Sequence, residues 1–300
     1  MGQQLWTSDV TGYRRRGTRL SELVAVLGSD VTTRSIIEPL QSAPAQLPAQ
    51  EAKRLLTERG FDVAGVQDRE GGPVLGVVIA EELLSGTVFD HLKPLRAEEL
   101  ISDSTPLSEL LGILRKKEHA FVVVRSGVRA IVSQADLNKP PVRVYLFGLI
   151  SLLEMHLRFW ISKEYPEETW QSKIKEERLN DARTVLVERK RHDEATTLLD
   201  CLQFCDKALL VACCPELLAK LKLTSKNKAG LLFRRAERLR NNLAHSQLDL
   251  AGSSSWETLL DRVEEIERFV RLSDEMIENE VQSVRENFRG GLWSNDWTRL

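Results

Sequence analysis

Pro106–Val124, PLSELLGILRKKEHAFVVV, followed by Val128–Leu137, VRAIVSQADL, decides the fold of the first half of this chain. The first segment reads as an amphipathic helix and then a strand; the second reads as an apolar strand running into an acidic helix start. The same order stands upstream. Pro48–Val66, PAQEAKRLLTERGFDVAGV, aligns with Pro106–Val124, and Val74–Leu83, VLGVVIAEEL, aligns with Val128–Leu137. The turn between the strands is longer in the first copy, Gln67–Pro73, than in the second, Arg125–Gly127. Residues 20–140 therefore hold two copies of helix–strand–strand–helix, an internal repeat.

Two short motifs in the second copy have local readings. Thr105 before Pro106 is expected to cap a helix whose first residue is the proline. Ser133-x-x-Asp136 has the spacing of a capping box. Together with Ile101–Pro106, Phe121–Val124 and Ala130–Leu137, these residues resemble a tandem pair of CBS domains. The resemblance implies a sensor that binds adenosine-type nucleotides in the cleft between repeats. It places Ser133 and Asp136 at phosphate and ribose, and Thr105 near the base or sugar. A capped N-terminus also suits phosphate, so the local and ligand readings are compatible. The first copy has Ile79 and Glu82 at the Ser and Asp positions, so at most one strong nucleotide site per chain is expected.

Asn138-Lys-Pro-Pro141 marks a boundary, and only helical patterns follow it. An apolar helix is expected over Val142–Lys163, with Glu154 and Arg158 spaced for an i, i+4 ion pair. Glu154 is also a candidate to orient the residues of a site on a facing helix. Further helices are expected over Glu167–Arg191, over Glu194–Ala212 capped by Asp193, and from Pro215 to Leu223. Another spans Ala229–His245, and one follows a Ser254–Glu257 capping box to about Asn287.

The helix over Ala229–His245 carries Arg240, Asn241 and His245. Arginine grips phosphate with parallel hydrogen bonds and histidine exchanges protons near neutral pH. Together they suit metal-independent cleavage of an RNA phosphodiester. On an ideal helix Arg240 and His245 point about 140° apart, whereas Asn241 shares the face of His245 and Arg238 lies within about 20° of it. A bent helix end, or a second copy across a two-fold axis, would bring Arg240 to His245. Lys220, Lys222, Lys226, Lys228, Arg234, Arg235 and Arg238 concentrate positive charge nearby.

R-N-x-x-x-H near a helix end, in a helical domain, resembles the HEPN family. That resemblance implies a homodimeric endoribonuclease in which 2′-OH attack leaves a cyclic phosphate. Arg240 would stabilise the phosphorane, His245 would act as general acid or base, and Asn241 would orient one of them. Sensor–HEPN fusions resemble bacterial stress and antiviral effectors or toxins, some of which are controlled by an antitoxin or another defence partner. The rival is a non-enzymatic regulator that senses adenine nucleotides, its helical domain binding a partner and His245 being structural.

The chain of 300 residues, with net charge −2, 42% hydrophobic and 29% charged residues, reads as two soluble domains rather than a general polyanion binder. Cys201, Cys205, Cys213 and Cys214 fit neither a disulfide framework nor a zinc site, and are expected as reduced buried thiols. The polar N-terminus and the short apolar run Val144–Leu153 predict no signal peptide and no membrane span, hence a cytoplasmic protein. The expected organisation is an α+β chain: an arm at 1–19 with Arg14–Arg16 in solvent or docked, a tandem CBS module at 20–140, a HEPN-like helical bundle at 141–289, and an aromatic tail at 290–300 with Trp293 and Trp297. No metal or catalytic cofactor is expected; the implied partners are RNA, an adenine nucleotide and a second copy of the chain.

Overall fold

A computed structural model describes residues 13–192, 196–245, 248–252 and 254–289. Most of the expected arm, the Asp193 cap, and the tail with Trp293 and Trp297 lie outside the described residues. The fold is α+β: two sheets between residues 38 and 133, then helices and turns alone among the described residues. The chain divides into two compact units. One holds Val26–Arg143 with Ala251–Leu260; the other is helical and includes residues 13–25, 144–250 and 261–289.

In chain order, α1 (Leu20–Asp30) leads to β1 (Glu38–Pro39), β2 (Ser42–Pro44), α2 (Ala49–Arg59), β3 (Val63–Gln67) and β4 (Val74–Ile79). Then come β5 (Leu100–Ser102), α3 (Leu107–Leu114), β6 (His119–Val124) and β7 (Gly127–Ser133). The sheets are β2-β3-β4 and β1-β7-β6-β5. In each copy a short strand runs parallel to the middle strand, which forms an antiparallel hairpin with the next. The repetition extends to an irregularity. The register slips at Val66/Gln67 in one hairpin and at Val122/Val123 in the other, leaving Leu75 and Arg129 as the extra residues. Such a bulge shifts the alternation of side chains. It puts Val74 with Val77, and Val128 with Ile131, on one face although each pair is three residues apart.

That face is where the sheets meet: Leu40, Val77 and Phe121 pack with Val63, Val74, Leu100, Val128 and Ile131. On the other face of the first sheet, Ala64, Val66 and Val78 pack against Ala52 and Leu56 of α2. Val63 stands opposite Ile79, and His119 stands opposite Ser133. The ungapped alignment of Val63 with Phe121 is therefore out by two residues, which the longer α2 absorbs. A slip of two keeps every side chain on its face, so the pattern survived the misalignment.

Each copy is closed by a segment that precedes the other. Ala49 N–H donates to Gly86 O and Val88 N–H to Leu47 O; likewise Leu107 N–H donates to Val31 O and Thr33 N–H to Thr105 O. Val77 bridges Lys93 as Ile131 pairs with Glu38. The fourth element of each copy, expected as a helix, is a 3-10 turn: Ala80–Glu82 in the first and Gln134–Asn138 in the second.

The helical unit takes in most of α4 (Pro140–Glu164), then α5 (Glu176–Lys190), α6 (Leu198–Cys201), α7 (Phe204–Ala212), α8 (Pro215–Lys220), α9 (Lys226–Ala244) and most of α10 (Trp256–Arg289). Among the described residues α4 is the one helix long and apolar enough to cross a membrane, and 61% of that window is buried inside the fold. Its Leu149, Leu153, Leu157, Trp160 and Ile161 are core residues. The helix expected over Glu194–Ala212 is broken, because Leu202 turns extended between α6 and α7. The start of the one expected at Glu167 is a 3-10 segment in which Glu167 and Glu168 take left-handed φ. The cap of α10 is Ser255, whose Oγ accepts from Thr258 N–H at 3.2 Å, in place of the expected Ser254–Glu257 box.

Arg14 is not a solvated arm residue. Its side chain is 1% exposed; it pairs with Asp274, and with Glu278 at 3.8 Å. Asp274 also accepts from Leu20 N–H at 2.7 Å, which ties the start of α1 to α10. Nearby, Ser273 Oγ joins His156 Nδ1 and Trp160 Nε1, each at 2.6 Å. Burial, then the charge of Arg14, holds His156 neutral by pushing its pKa well down.

Candidate functional site

Two places carry the residues singled out from the sequence: the end of β7, and the basic helix α9. At the end of β7 the chain turns into a 3-10 segment, and the Asp136 carboxylate reaches back to cap it. Asp136 Oδ2 accepts from Ser133 N–H at 2.7 Å and from Ser133 Oγ at 2.9 Å. The capping reading of Ser133-x-x-Asp136 thus describes the local geometry. The same device recurs at Thr87–Asp90 and Thr197–Asp200, where no nucleotide role was inferred.

Lys139 completes the cluster. Its ammonium is 2.8 Å from Asp136 Oδ1, 2.5 Å from Glu38 Oε1 and 2.6 Å from Ile36 O. Burial would lower its pKa, but hydrogen bonds to Asp136 and Glu38 outweigh that and hold it above the ordinary value. In the first copy Glu82, at the position of Asp136, meets Lys93, at the position of Glu38, at 2.6 Å. That pair is self-neutralising. The second copy has acids at both positions, with a lysine drawn in between. Sequence reading passed over Lys139, although it lies three residues after Asp136, because it sat in the boundary segment Asn138–Pro141.

Thr105 stands elsewhere. Helix α3 begins at Leu107 with Pro106 as its N-cap, and no side chain caps it, so Thr105 is not the expected cap. Its carbonyl accepts from Thr33 N–H at 2.9 Å and Thr33 Oγ1 at 3.0 Å. Ser102 of β5 is level with Val123 of β6, whereas Ser133 is level with His119. Four residues of strand, about 13 Å, separate those levels. Within one copy the structure does not bring Thr105 to Ser133 and Asp136.

Helix α9 starts at Lys226, where Ser225 Oγ accepts from Lys228 N–H at 3.2 Å. Ala229, Phe233, Ala236 and Leu239 form its buried face. It is continuous α-helix to Ala244, and His245 is its exposed C-cap, donating its N–H to Asn241 O at 3.0 Å. No break in the helix separates Arg240 from its C-cap. Arg240 Nη1 donates instead to Asn241 Oδ1 at 3.2 Å. Asn242 Nδ2 ties the helix end to Leu250 O at 3.3 Å.

Glu154 does not reach α9. It pairs with Lys207 of α7 at 2.6 Å, and Arg158 pairs with Asp200 at 2.6 Å, so the expected Glu154–Arg158 pair is replaced by two cross-helix pairs. All four cysteines are free; Cys213 is exposed and Cys205 half-buried, against the expectation of four buried thiols. Among the described residues no group of three or more His, Cys, Asp or Glu side chains is arranged to hold a metal ion.

The fold and this geometry define a two-copy α/β repeat module joined to a helical unit. No family model and no curated protein matches the chain. Solved structures similar to it include the CBS domain of a bacterial CNNM/CorC family Mg2+ transporter in complex with ATP, 18% identical, covering 40% of this chain and 92% of that one with a TM-score of 0.32. CBSX2 in complex with AMP is 20% identical, covering 38% and 96% with a TM-score of 0.32. The CBS domain pair of MJ0100 with 5′-methylthioadenosine and S-adenosyl-L-methionine is 15% identical, covering 36% and 92% with a TM-score of 0.31. These likenesses assign no role to any residue of this chain.

Proposed function

We propose that the repeat module is a sensor of adenine nucleotides that regulates the helical unit, in a protein whose primary role is regulatory. The observation that carries this is the asymmetry of the copies: Ser133, Asp136, Glu38 and Lys139 form a polar cluster where the first copy has Ile79 and the closed Glu82–Lys93 pair. A hydroxyl and carboxylates suit ribose, and an ammonium suits phosphate. One site per chain follows. Calorimetric titration with AMP, ADP and ATP tests it. The expected result is saturable heat at one nucleotide per chain, weakened at least about tenfold, or 1.4 kcal/mol, in Asp136→Ala and Lys139→Ala. Absence of heat with all three, from protein with a cooperative thermal melt, overturns it.

A second reading is kept for the helical unit: metal-independent RNA cleavage by a homodimer, with Arg240, Asn241 and His245 at the phosphate, as in a bacterial stress or defence effector. The Arg240–Asn241 contact beside an exposed His245 favours it. With α9 unbroken from Arg240 to its C-cap, a second copy of the chain is the means of opposing Arg240 and His245. Cleavage of a single-stranded RNA in EDTA, abolished by His245→Ala, is the expected outcome. Cleavage that persists in an Arg240→Ala, His245→Ala double variant removes the reading.

A further inference from the structure

Helix α9 carries Lys226, Lys228, Arg234, Arg235, Arg238 and Arg240 against one acidic residue, Glu237. At about 100° per residue, Arg234, Arg238 and His245 fall within about 40° of one another, opposite the buried face. Arg234 and Arg238 are exposed, and among the described residues neither makes an ion pair. Their charge is not cancelled within the fold.

A third cation comes from α10, which runs antiparallel to α9. Phe233 meets Phe269 edge-on at 5.6 Å, and Arg235 Nη1 meets Glu265 at 2.9 Å. Arg262 lies three residues before Glu265 on α10, within electrostatic reach of Arg235 and Arg238. Burial, then the like charges of Arg235 and Arg238, holds the Arg262 guanidinium below its ordinary pKa. Cations held together repel, and a bound anion relieves that repulsion.

We propose that Arg234, Arg238 and Arg262 form a phosphate-binding strip for the backbone of a nucleic acid. Arginines at i and i+4 stand about 6 Å apart along the helix, presenting a file of guanidiniums to a polymer that carries one charge per residue. A membrane surface fits less well, because an interfacial helix must offer its apolar face and that of α9 is buried in the core. The inference rests on the nucleic-acid reading of α9, yet it requires binding and not cleavage. It names Arg238, in place of Arg240, as the arginine that shares a face with His245.

Fluorescence anisotropy of the full chain with labelled oligo-U RNA and oligo-dT DNA, in EDTA over about 50 to 200 mM KCl, tests it. The wild type binds with a steep salt dependence, and Arg238→Ala and Arg262→Ala each reduce the log–log slope by about 0.7. Arg262→Lys, which keeps the charge, restores it, and Arg183→Ala on α5 leaves it unchanged. Preference for RNA or for DNA identifies the source of the phosphates, and equal binding shows that the strip reads backbone alone. Unaltered slopes in the α9 and α10 variants, no binding of either polymer, or equally tight binding of polyglutamate or anionic vesicles overturns the inference. Binding is read from the salt slope in EDTA and cleavage from product formation, so the two fail separately.

Discussion

The Lys207 ammonium, 1% exposed, lies 2.6 Å from the Glu154 carboxylate, itself 30% exposed. The partners are unequal, because only Glu154 retains contact with water. Glu154→Ala strands a buried charge and is expected to cost about 3 kcal/mol in urea unfolding. Lys207→Met is expected to cost far less. Equal losses for the two would show that the pair itself, and not the stranded charge, sets the cost. Burial lowers the folded pKa of Lys207 below its unfolded value. Over that interval the unfolded chain binds the extra proton, so the contribution of Lys207 to stability rises as pH climbs toward the unfolded pKa of about 10.4.

Tyr165 has the opposite sign. Burial, then the neighbouring Cys214, pushes its phenol up to about 12. The folded state holds the proton that the unfolded state releases near pH 10. The stabilisation is complete below about pH 10 and is lost as pH rises to about 12. The ultraviolet difference titration between wild type and Tyr165→Phe should show a phenolate step near pH 12. A step near pH 10 would mean that the phenol is effectively solvated.

Two glycines in the repeat module should respond to alanine with opposite signs. A Cβ on Gly76 of β4 would sit 2.4 Å from Lys93 O, where β4 meets its closing segment. Gly76→Ala is expected to destabilise by about 1–3 kcal/mol. Gly112, exposed inside α3, has nothing within 4 Å of its Cβ position. Gly112→Ala should stabilise by about 0.5–1 kcal/mol, through helix propensity. Thermal melts decide both.

Asp274 holds the segment from Arg14 to Leu20 through the Arg14 guanidinium and the Leu20 N–H. Burial keeps its carboxyl above the ordinary value even so. Asp274→Ala should release Arg14 and loosen the backbone around the already exposed Arg15 and Arg16, raising the rate of tryptic cleavage there about tenfold, as loss of at least 1.4 kcal/mol of local stability implies. Cleavage at the wild-type rate would show that other contacts fix this segment.

The two-copy module was legible because strand parity and helix spacing repeat, and both withstand a slip of two residues. The closing segments were not legible. Glu38–Pro39 is too short for any period, and its pairing with Ala130 and Ile131 is set by topology. The break at Leu202 followed from Thr197 capping a single turn, a choice the apolar pattern of 194–212 does not record. At α9 the helix and its His245 end were readable, as was the 140° between Arg240 and His245. Arg262 was not, because it comes from another helix and joins the strip only through the antiparallel ladder. The fates of Glu154 and Arg158 were hidden for the same reason: i, i+4 spacing states what is near along a helix, and cross-helix partners outcompeted it.

The reciprocal closure of the copies bears on how this half of the chain folds. The first copy is incomplete when its own helix and hairpin leave the ribosome, because residues 86–93, which close it, follow it; the second must recruit Val31, Thr33 and Glu38, synthesised long before it. The pairing of Glu38 with Ile131 closes a loop through nearly the whole module, a contact that folds slowly and late. Until then β7 exposes the edge that β1 will cover, which is the moment of greatest risk of mispairing with another nascent chain. A chain that begins after Pro39, and so lacks Val31, Thr33 and Glu38, should therefore lose both copies together, in one cooperative transition.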